Sequence, residues 1–442
     1  MGNADLTPTL SSPSEAAKAR ALALSASIET AQAISEWESR EVDDDREGIQ
    51  PNDRVLLIIE DDAAFAQVLL DLARRHDFKG IVASRAEAAL RLARDRKVDA
   101  ITLDLRLPDR DGWVVLDRLK HDPKTRHIPV HIISVDEGEH RGRKQGALAF
   151  VHKPASQEAL EASLGRIKTF VERPMRQLLV VEPNAEQRKK TIALIGNTDV
   201  ETEAAATGKE ALEVLRKRPF DCLVLDPTLP DMTGFELIEK IKKDLALKDL
   251  PIVVYSGKDF SKKEESEIRR VAESVVVMSA KSPEQLLDET ALFLHRVEGN
   301  LPEPKRRAIE KLRSTDDTLA SRKVLIVDDD VRNIFALTTV LERHGISVVF
   351  AENGKDGIAQ LKKAPDIEAV MMDVMMPEMD GYETMRTIRK IAKFKKLPII
   401  ALTAKAMKGD REKCIEAGAS DYIAKPVDAE QLLSLLRVWL YR

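Results

Sequence analysis

The chain is poor in cysteine, has no long apolar run and carries no large excess of either charge, and each of these excludes something. Its two cysteines, Cys222 and Cys414, sit in apolar or helical patterns without the paired spacing of a zinc site or a disulfide framework, which suits a reducing compartment. No apolar stretch approaches the ~18 residues of a membrane span. Met1 to Leu6 shows no basic-then-apolar leader and no Ser or Thr at position six for myristoylation. The expectation is a cytoplasmic protein with no membrane segment. Lys and Arg number 70 against 75 Asp and Glu, so no strongly basic face is implied and nucleic acid is not an expected partner. At roughly 100 to 200 residues per domain, 442 residues predict two to four domains.

What is present is a threefold repeat. ITLDLRLPDRDG from residue 101 returns as LVLDPTLPDMTG from 223 and VMMDVMMPEMDG from 370. Each reads apolar run, Asp, three residues, Pro, three residues, Gly: Asp104, Pro108 and Gly112; Asp226, Pro230 and Gly234; Asp373, Pro377 and Gly381. Upstream of each lies a buried-strand run ending in polar residues, VLLIIEDD, LLVVEPN and VLIVDDD, and downstream a second run ends in a hydroxyl residue, Ser134, Ser256 or Thr403. The Asp-to-hydroxyl interval is 30 in every unit (104 to 134, 226 to 256, 373 to 403).

Helical patterns separate the strands, for example Ile334, Leu337 and Leu341, stopped by Gly345. Strand and helix therefore alternate, which predicts an α/β chain of parallel sheets with helices on both faces and special residues at the carboxyl ends of strands. Expected boundaries are a Ser/Thr/Pro-rich, then Ala-rich, then acidic N-terminal extension over 1–52, read as a solvated tail or linker helix; repeat units over 53–172, 175–298 and 321–442; and a linker over 299–320.

In the third unit, strand ends bring Asp328, Asp329, Asp373, Thr403 and Lys425 together. Three carboxylates in one pocket repel one another, and a hard divalent cation relieves that repulsion; Mg2+, or Mn2+ in its place, suits a few carboxylate oxygens plus water and a phosphoryl oxygen. Asp373 can then act as a nucleophile on phosphorus while the cation and an ammonium neutralise the developing charge.

The acidic pair, D-x3-P-x3-G, the strand-end Ser/Thr and the Lys-Pro dipeptide together resemble the receiver domain of bacterial response regulators, over nearly everything from Arg54 onward. The resemblance implies three tandem flavodoxin-like (βα)5 domains with strand order 2-1-3-4-5, and Mg2+-dependent phosphorylation of Asp104 and Asp373 by a histidine kinase or histidine phosphotransfer protein. It implies Glu60, Asp61, Asp104 and the Arg106 carbonyl as metal ligands in the first unit, with Ser134 and Lys153 beside them. In the third it implies Asp328, Asp329, Asp373 and the Met375 carbonyl, with Thr403 and Lys425. Phe150 and Tyr422, three residues before each Lys, correspond to a switch aromatic, and Lys153-Pro154 and Lys425-Pro426 to cis peptides.

The middle unit departs from this pattern. Glu182-Pro183 replaces the acidic pair, and the interval from Thr403 to Lys425, counted from Ser256, reaches Met278 rather than Lys281. Its aromatic position falls on Val275. Glu182, Asp226 and Ser256 are therefore read as a degenerate site and Lys281 as solvent-facing. The first unit has only 19 residues from Ser134 to Lys153, with EGEHRGRKQG where a fourth helix is expected.

Three other readings compete. The array resembles receivers at the C-termini of hybrid sensor kinases, of which it could be a part. Haloacid dehalogenase-like phosphatases also use a strand-end Asp, but place a general acid two residues later, where this chain has Arg106, Thr228 and Met375. A purely scaffolding role leaves two intact pockets unexplained. His121 to Thr125 mimics a kinase phosphohistidine box, but Pro123 disfavours the helix it needs, so no kinase activity is expected.

Overall fold

The computed structural model describes residues 42–440 except 174, 246, 248, 257–265, 268–275, 314–318 and 405–407. In the first unit β1 (Arg54–Ile59), β2 (Phe78–Ala83), β3 (Ala100–Leu103), β4 (Val130–Ser134) and β5 (Ala149–His152) alternate with α1 (Ala63–Arg75), α2 (Ala86–Asp95), α3 (Gly112–His121), α4 (Glu139–Lys144) and α5 (Gln157–Glu172). The second unit has β6 (Arg176–Val181), β7 (Val200–Ala205), β8 (Cys222–Leu225), β9 (Ile252–Tyr255) and β10 (Val277–Ala280), with α6 (Ala185–Ile195), α7 (Gly208–Lys217), α8 (Gly234–Asp244) and α9 (Pro283–Phe293). After α10 (Glu303–Arg313) the third unit repeats the plan: β11 (Lys323–Val327), β12 (Ser347–Ala351), β13 (Ala369–Asp373), β14 (Ile399–Thr403) and β15 (Asp421–Ala424), with α11 (Val331–Arg343), α12 (Gly354–Lys363), α13 (Gly381–Lys390), α14 (Lys408–Glu416) and α15 (Ala429–Leu440).

Each sheet has five parallel strands in the expected order, β2-β1-β3-β4-β5, with β7-β6-β8-β9-β10 and β12-β11-β13-β14-β15 equivalent to it. The central strands β3, β8 and β13 are buried throughout because helices cover both faces, which is why they read as unbroken apolar runs rather than alternating ones. Ile334, Leu337 and Leu341 form the buried stripe of α11, and Gly345 ends it at φ +73°.

The repeated glycine has a steric cause. The chain leaves the central strand, turns through the x3-P-x3 loop and starts a helix directly over the strand end. A Cβ on Gly381 would lie 2.1 Å from the Asp373 carbonyl oxygen, and one on Gly112 would lie 2.5 Å from the Leu105 Cα.

The described part of the N-terminal extension is neither a solvated tail nor a helix. Asp44, Asp45 and Arg46 lie along the outer edge of β2: the Asp45 amide donates to the Gly80 carbonyl, and the carboxylates of Asp44 and Asp45 accept the amides of Val82 and Gly80 at 2.8 and 2.9 Å. The acidic run thus satisfies edge-strand donors that would otherwise be open; residues 1–41 lie outside the described residues. The stretch read as a linker contains α10, whose Ile309 is buried and whose Arg313 reaches Asp288 and Glu298 of the second unit, both at 2.5 Å. In the first unit α4 is only six residues long, as its glycine-interrupted, charged sequence foreshadows.

The first and third units share a core. Val114, Leu116 and Leu119 of α3 belong to one continuous buried cluster with Leu432, Leu436 and Leu440 of α15. The second unit meets the first through an ion pair between buried Arg126 and half-buried Asp288, at 3.2 Å. Among the described residues no helix is long and apolar enough to cross a membrane.

The close approach at Gly381 makes a direct forecast. Gly381→Ala should destabilise the chain by about 2–4 kcal/mol through displacement of the Asp373 backbone, seen as a lower denaturant midpoint; an unchanged midpoint would contradict the steric argument.

Candidate functional site

In the third unit, β11 and β13 run side by side with Val327 opposite Met372, and β14 sets Leu402 opposite Asp373. β15 in turn sets Ala424 opposite Thr403. Asp328, Asp373, Thr403 and Lys425 therefore converge at one sheet edge. Asp328 is fully buried, Asp373 and Thr403 nearly so, and Asp329 stands exposed at the rim. Asp330, the third of the acidic run, caps α11 through the Arg332 amide and so belongs to the helix rather than the pocket.

Lys425 Nζ lies 2.8 Å from Asp328 Oδ2 and 2.9 Å from Asp373 Oδ2. The Met375 amide donates to Asp373 Oδ1 at 3.2 Å, and Asn333, one turn into α11, donates to both oxygens of Asp328. Burial raises the Asp373 carboxyl above its ordinary range against the opposing pull of Lys425. Burial alone would lower the Lys425 ammonium, but hydrogen bonds to Asp328 and Asp373 outweigh it and the net shift is upward.

The first unit builds the same pocket with a longer acid. Lys153 Nζ sits 2.6 Å from Asp104 Oδ2 and 2.8 Å from Glu60 Oε2, over the Phe65 ring at 4.3 Å. Ser134 Oγ donates to Asp104 Oδ1 at 2.8 Å and the Arg106 amide donates to the same oxygen at 3.0 Å. Burial pushes Glu60 up to about 7, opposed by Lys153 and reinforced by Asp104. Asp62 caps α1, as Asp330 caps α11.

Glu60, Asp61 and Asp104 offer carboxylate oxygens within 4.8 Å of one another, and so do Asp328, Asp329 and Asp373; these two are the such groups of three among the described residues. Hard carboxylate oxygens, one side chain at the solvent rim and no thiolate or imidazole, fit a hydrated divalent cation of the magnesium type.

The second unit gathers only part of the set. Glu182 is buried and Asp226 half-buried, and burial together with the nearby Asp226 carboxyl raises Glu182 above its ordinary range. Pro183 supplies no ligand. The strand register corrects the count made on sequence: Met278 lies within β10, and Ala280 is opposite Tyr255, so Lys281 is level with Ser256. In the other units the lysine comes one residue beyond the partner of the hydroxyl residue, His152 or Ala424. That slot falls on Ser282, which caps α9, and Lys281 is exposed. The aromatic position, three residues before the slot, then falls on Ser279; Val275, where sequence counting put it, lies outside the described residues. Ser256 is half-buried at the end of β9.

Phe150 and Tyr422 are both half-buried, on β5 and β15, and both Lys-Pro bonds are cis. Asn333, Phe65 and the Arg106–Asp136 ion pair at 2.6 Å were not singled out on sequence. Asn333 alone had a signal, its position one helical turn after the acidic run.

The model of the response regulator receiver domain family matches residues 56–165, 178–289 and 324–437. Over 262 residues the chain is 25% identical to the signal transduction histidine-protein kinase BarA of Escherichia coli (strain K12), covering 59% of this chain and 27% of BarA. The chain thus spans about a quarter of the length of the kinases it matches first. It is 40% identical over 119 residues to protein PilH of Pseudomonas aeruginosa, covering 27% of this chain and 97% of PilH. Among solved structures, the receiver domain of sensor histidine kinase PA1611 from Pseudomonas aeruginosa, which has magnesium coordinated in its active site cleft, is 35% identical with a TM-score of 0.26, covering 28% of this chain and all of that one. With three matched segments spanning most of its length, the chain belongs to the response regulator receiver family and consists of three receiver domains in tandem.

Proposed function

We propose that the chain is a phosphoacceptor of a two-component phosphorelay in the cytoplasm, taking phosphoryl groups on Asp104 and Asp373 from a histidine kinase or a histidine phosphotransfer protein, while the second receiver serves contacts or control. The observation that carries this reading is the half-buried lysine bridging two carboxylates in receivers one and three and missing from the equivalent slot in receiver two.

Asp373 attacks phosphorus through a carboxylate oxygen; a P–O bond forms, the P–N bond to the donor imidazole breaks, and the imidazole leaves neutral after taking up a proton. Water later cleaves the acyl phosphate to inorganic phosphate and the carboxylate. Lys425 is placed to pair with a phosphoryl oxygen once the new group occupies the pocket, and the Thr403 hydroxyl to donate to another. A Mg2+ ion held by Asp328, Asp329, Asp373 and the Met375 carbonyl would neutralise phosphoryl charge; Glu60, Asp61, Asp104 and the Arg106 carbonyl would hold its counterpart, with Lys153 and Ser134 in the matching roles. Mn2+ fits the same oxygen donors. A second reading, that the array is part of a hybrid sensor kinase, is favoured by the alignment to 27% of BarA.

Incubation with Mg2+ and acetyl phosphate should give acid-stable, base-labile labelling. It should drop by one phosphoryl group in Asp104→Asn and in Asp373→Asn and stay unchanged in Asp226→Asn; labelling that persists in the Asp104→Asn/Asp373→Asn double variant contradicts the reading.

A pH dependence follows for receiver one. Glu60 holds its proton up to about 7, so a proton competes with the cation below that value and the competition vanishes above it. With receiver three silenced by Asp328→Asn/Asp373→Asn, calorimetric Mg2+ affinity should fall roughly tenfold per pH unit below neutrality. Equal affinity at acid and alkaline pH would contradict it.

A further inference from the structure

The face of receiver three that carries Tyr422 is not turned to solvent but docked on receiver one. The Tyr422 hydroxyl donates to the Asp109 carbonyl at 3.2 Å. Asp109 lies in the short loop between Asp104 and the α3 cap Asp111, and its carboxylate also accepts the Ala86 and Glu87 amides at the start of α2, at 2.9 and 3.2 Å. One residue of the acceptor loop of receiver one is thus tied to its own receiver by its side chain and to receiver three by its carbonyl.

Next to this contact, α15 lies on α3. Arg437 Nε is 3.1 Å from Oδ2 of Asp117, a buried acid in the middle of α3, and Arg141 donates to the Val438 carbonyl at 3.0 Å. The His121 imidazole also lies 3.3 Å from an Asp117 carboxylate oxygen. A buried acid of receiver one is thus paired with a guanidinium that belongs to receiver three. The leucines of α15 complete the apolar side of the same surface.

We propose that this surface couples the two receivers: loading of Asp373 withdraws the Tyr422 ring, releases Asp109 and loosens α15 from α3, so that occupancy of receiver three is felt in the loop following Asp104. The partner of receiver three's switch face is receiver one of the same chain. This rests on the phosphoacceptor reading above and adds a coupling between the two sites. By linkage, whatever factor loading at Asp373 applies to equilibrium loading at Asp104, loading at Asp104 applies in return.

The test is hydrogen–deuterium exchange on the full chain carrying Asp104→Asn, with Mg2+ and with or without beryllium fluoride as the acyl-phosphate mimic. Peptides spanning β14 report loading and peptides over 105–121 report docking. Loading should protect β14 and speed exchange over 105–121 by about threefold or more. Tyr422→Phe, which removes only the hydroxyl, should speed exchange over 105–111 before loading and blunt the response to it. Arg437→Glu, which sets two carboxylates against each other, should speed exchange over 112–121 with no ligand at all. Protection of β14 with 105–121 unchanged overturns the coupling and leaves the phosphoacceptor reading standing. Absence of protection at β14 overturns that reading and the coupling with it, and an Arg437→Glu chain that exchanges like its parent overturns the docked surface.

Discussion

Lys425, 2.8 Å from one buried carboxylate and 2.9 Å from another, is the contact on which the third receiver's pocket depends. A parallel sheet ends all its strands on the same side, so polar residues at strand ends are forced together whatever their charge. Two carboxylates brought together there, out of water, need a compensating charge or a proton. The three receivers meet this constraint differently. The third uses Lys425 with Asn333 clamping Asp328, and the first uses Lys153 against Glu60 and Asp104. The second has Ser282 in the lysine slot, and burial beside Asp226 raises the Glu182 carboxyl. Among the described residues, the first two solutions set a lysine ammonium between the carboxylates, where it can meet an incoming phosphoryl group.

The same geometry explains the spacing of the repeat. The acceptor must stay at the strand end while the chain turns back over it to start a helix, and at Gly112 and Gly381 there is no room for a side chain against the acceptor's own backbone. The loop that makes this turn in receiver one is also the loop that receiver three grips through Tyr422 and, along α3, through Arg437. Site and interface are thus built from adjoining residues, and a change at either is placed to reach the other.

The threefold architecture was legible because buried parallel strands are continuous apolar runs and because the motif recurs at a fixed interval, while the strand order followed from the family resemblance those motifs carry. Which residues approach Asp104 and Asp373 was legible for the same reason: strand ends are read directly from where the apolar runs stop. Counting residues failed for Lys281, since the interval between the last two strands is set by a connection whose length varies between units, while the slot is set by strand pairing, Ala280 against Tyr255. The acidic run at 41–47 looked like a solvated tail because carboxylates that accept edge-strand amides have no sequence mark distinguishing them from those facing water. Docking of α15 on α3 was equally invisible: one apolar stripe covers a sheet in either reading, and contacts such as Arg437 with Asp117 and Arg141 with the Val438 carbonyl show that a neighbour lies on it.

The central claim is that two of the three receivers, and only two, are built to hold a phosphoryl group. The most direct measurement is 19F NMR of the intact chain with Mg2+ and beryllium fluoride. The account predicts two sets of bound resonances, one lost in Asp104→Asn and the other in Asp373→Asn; a third set that disappears with Asp226→Asn, or no bound set at all, would contradict it.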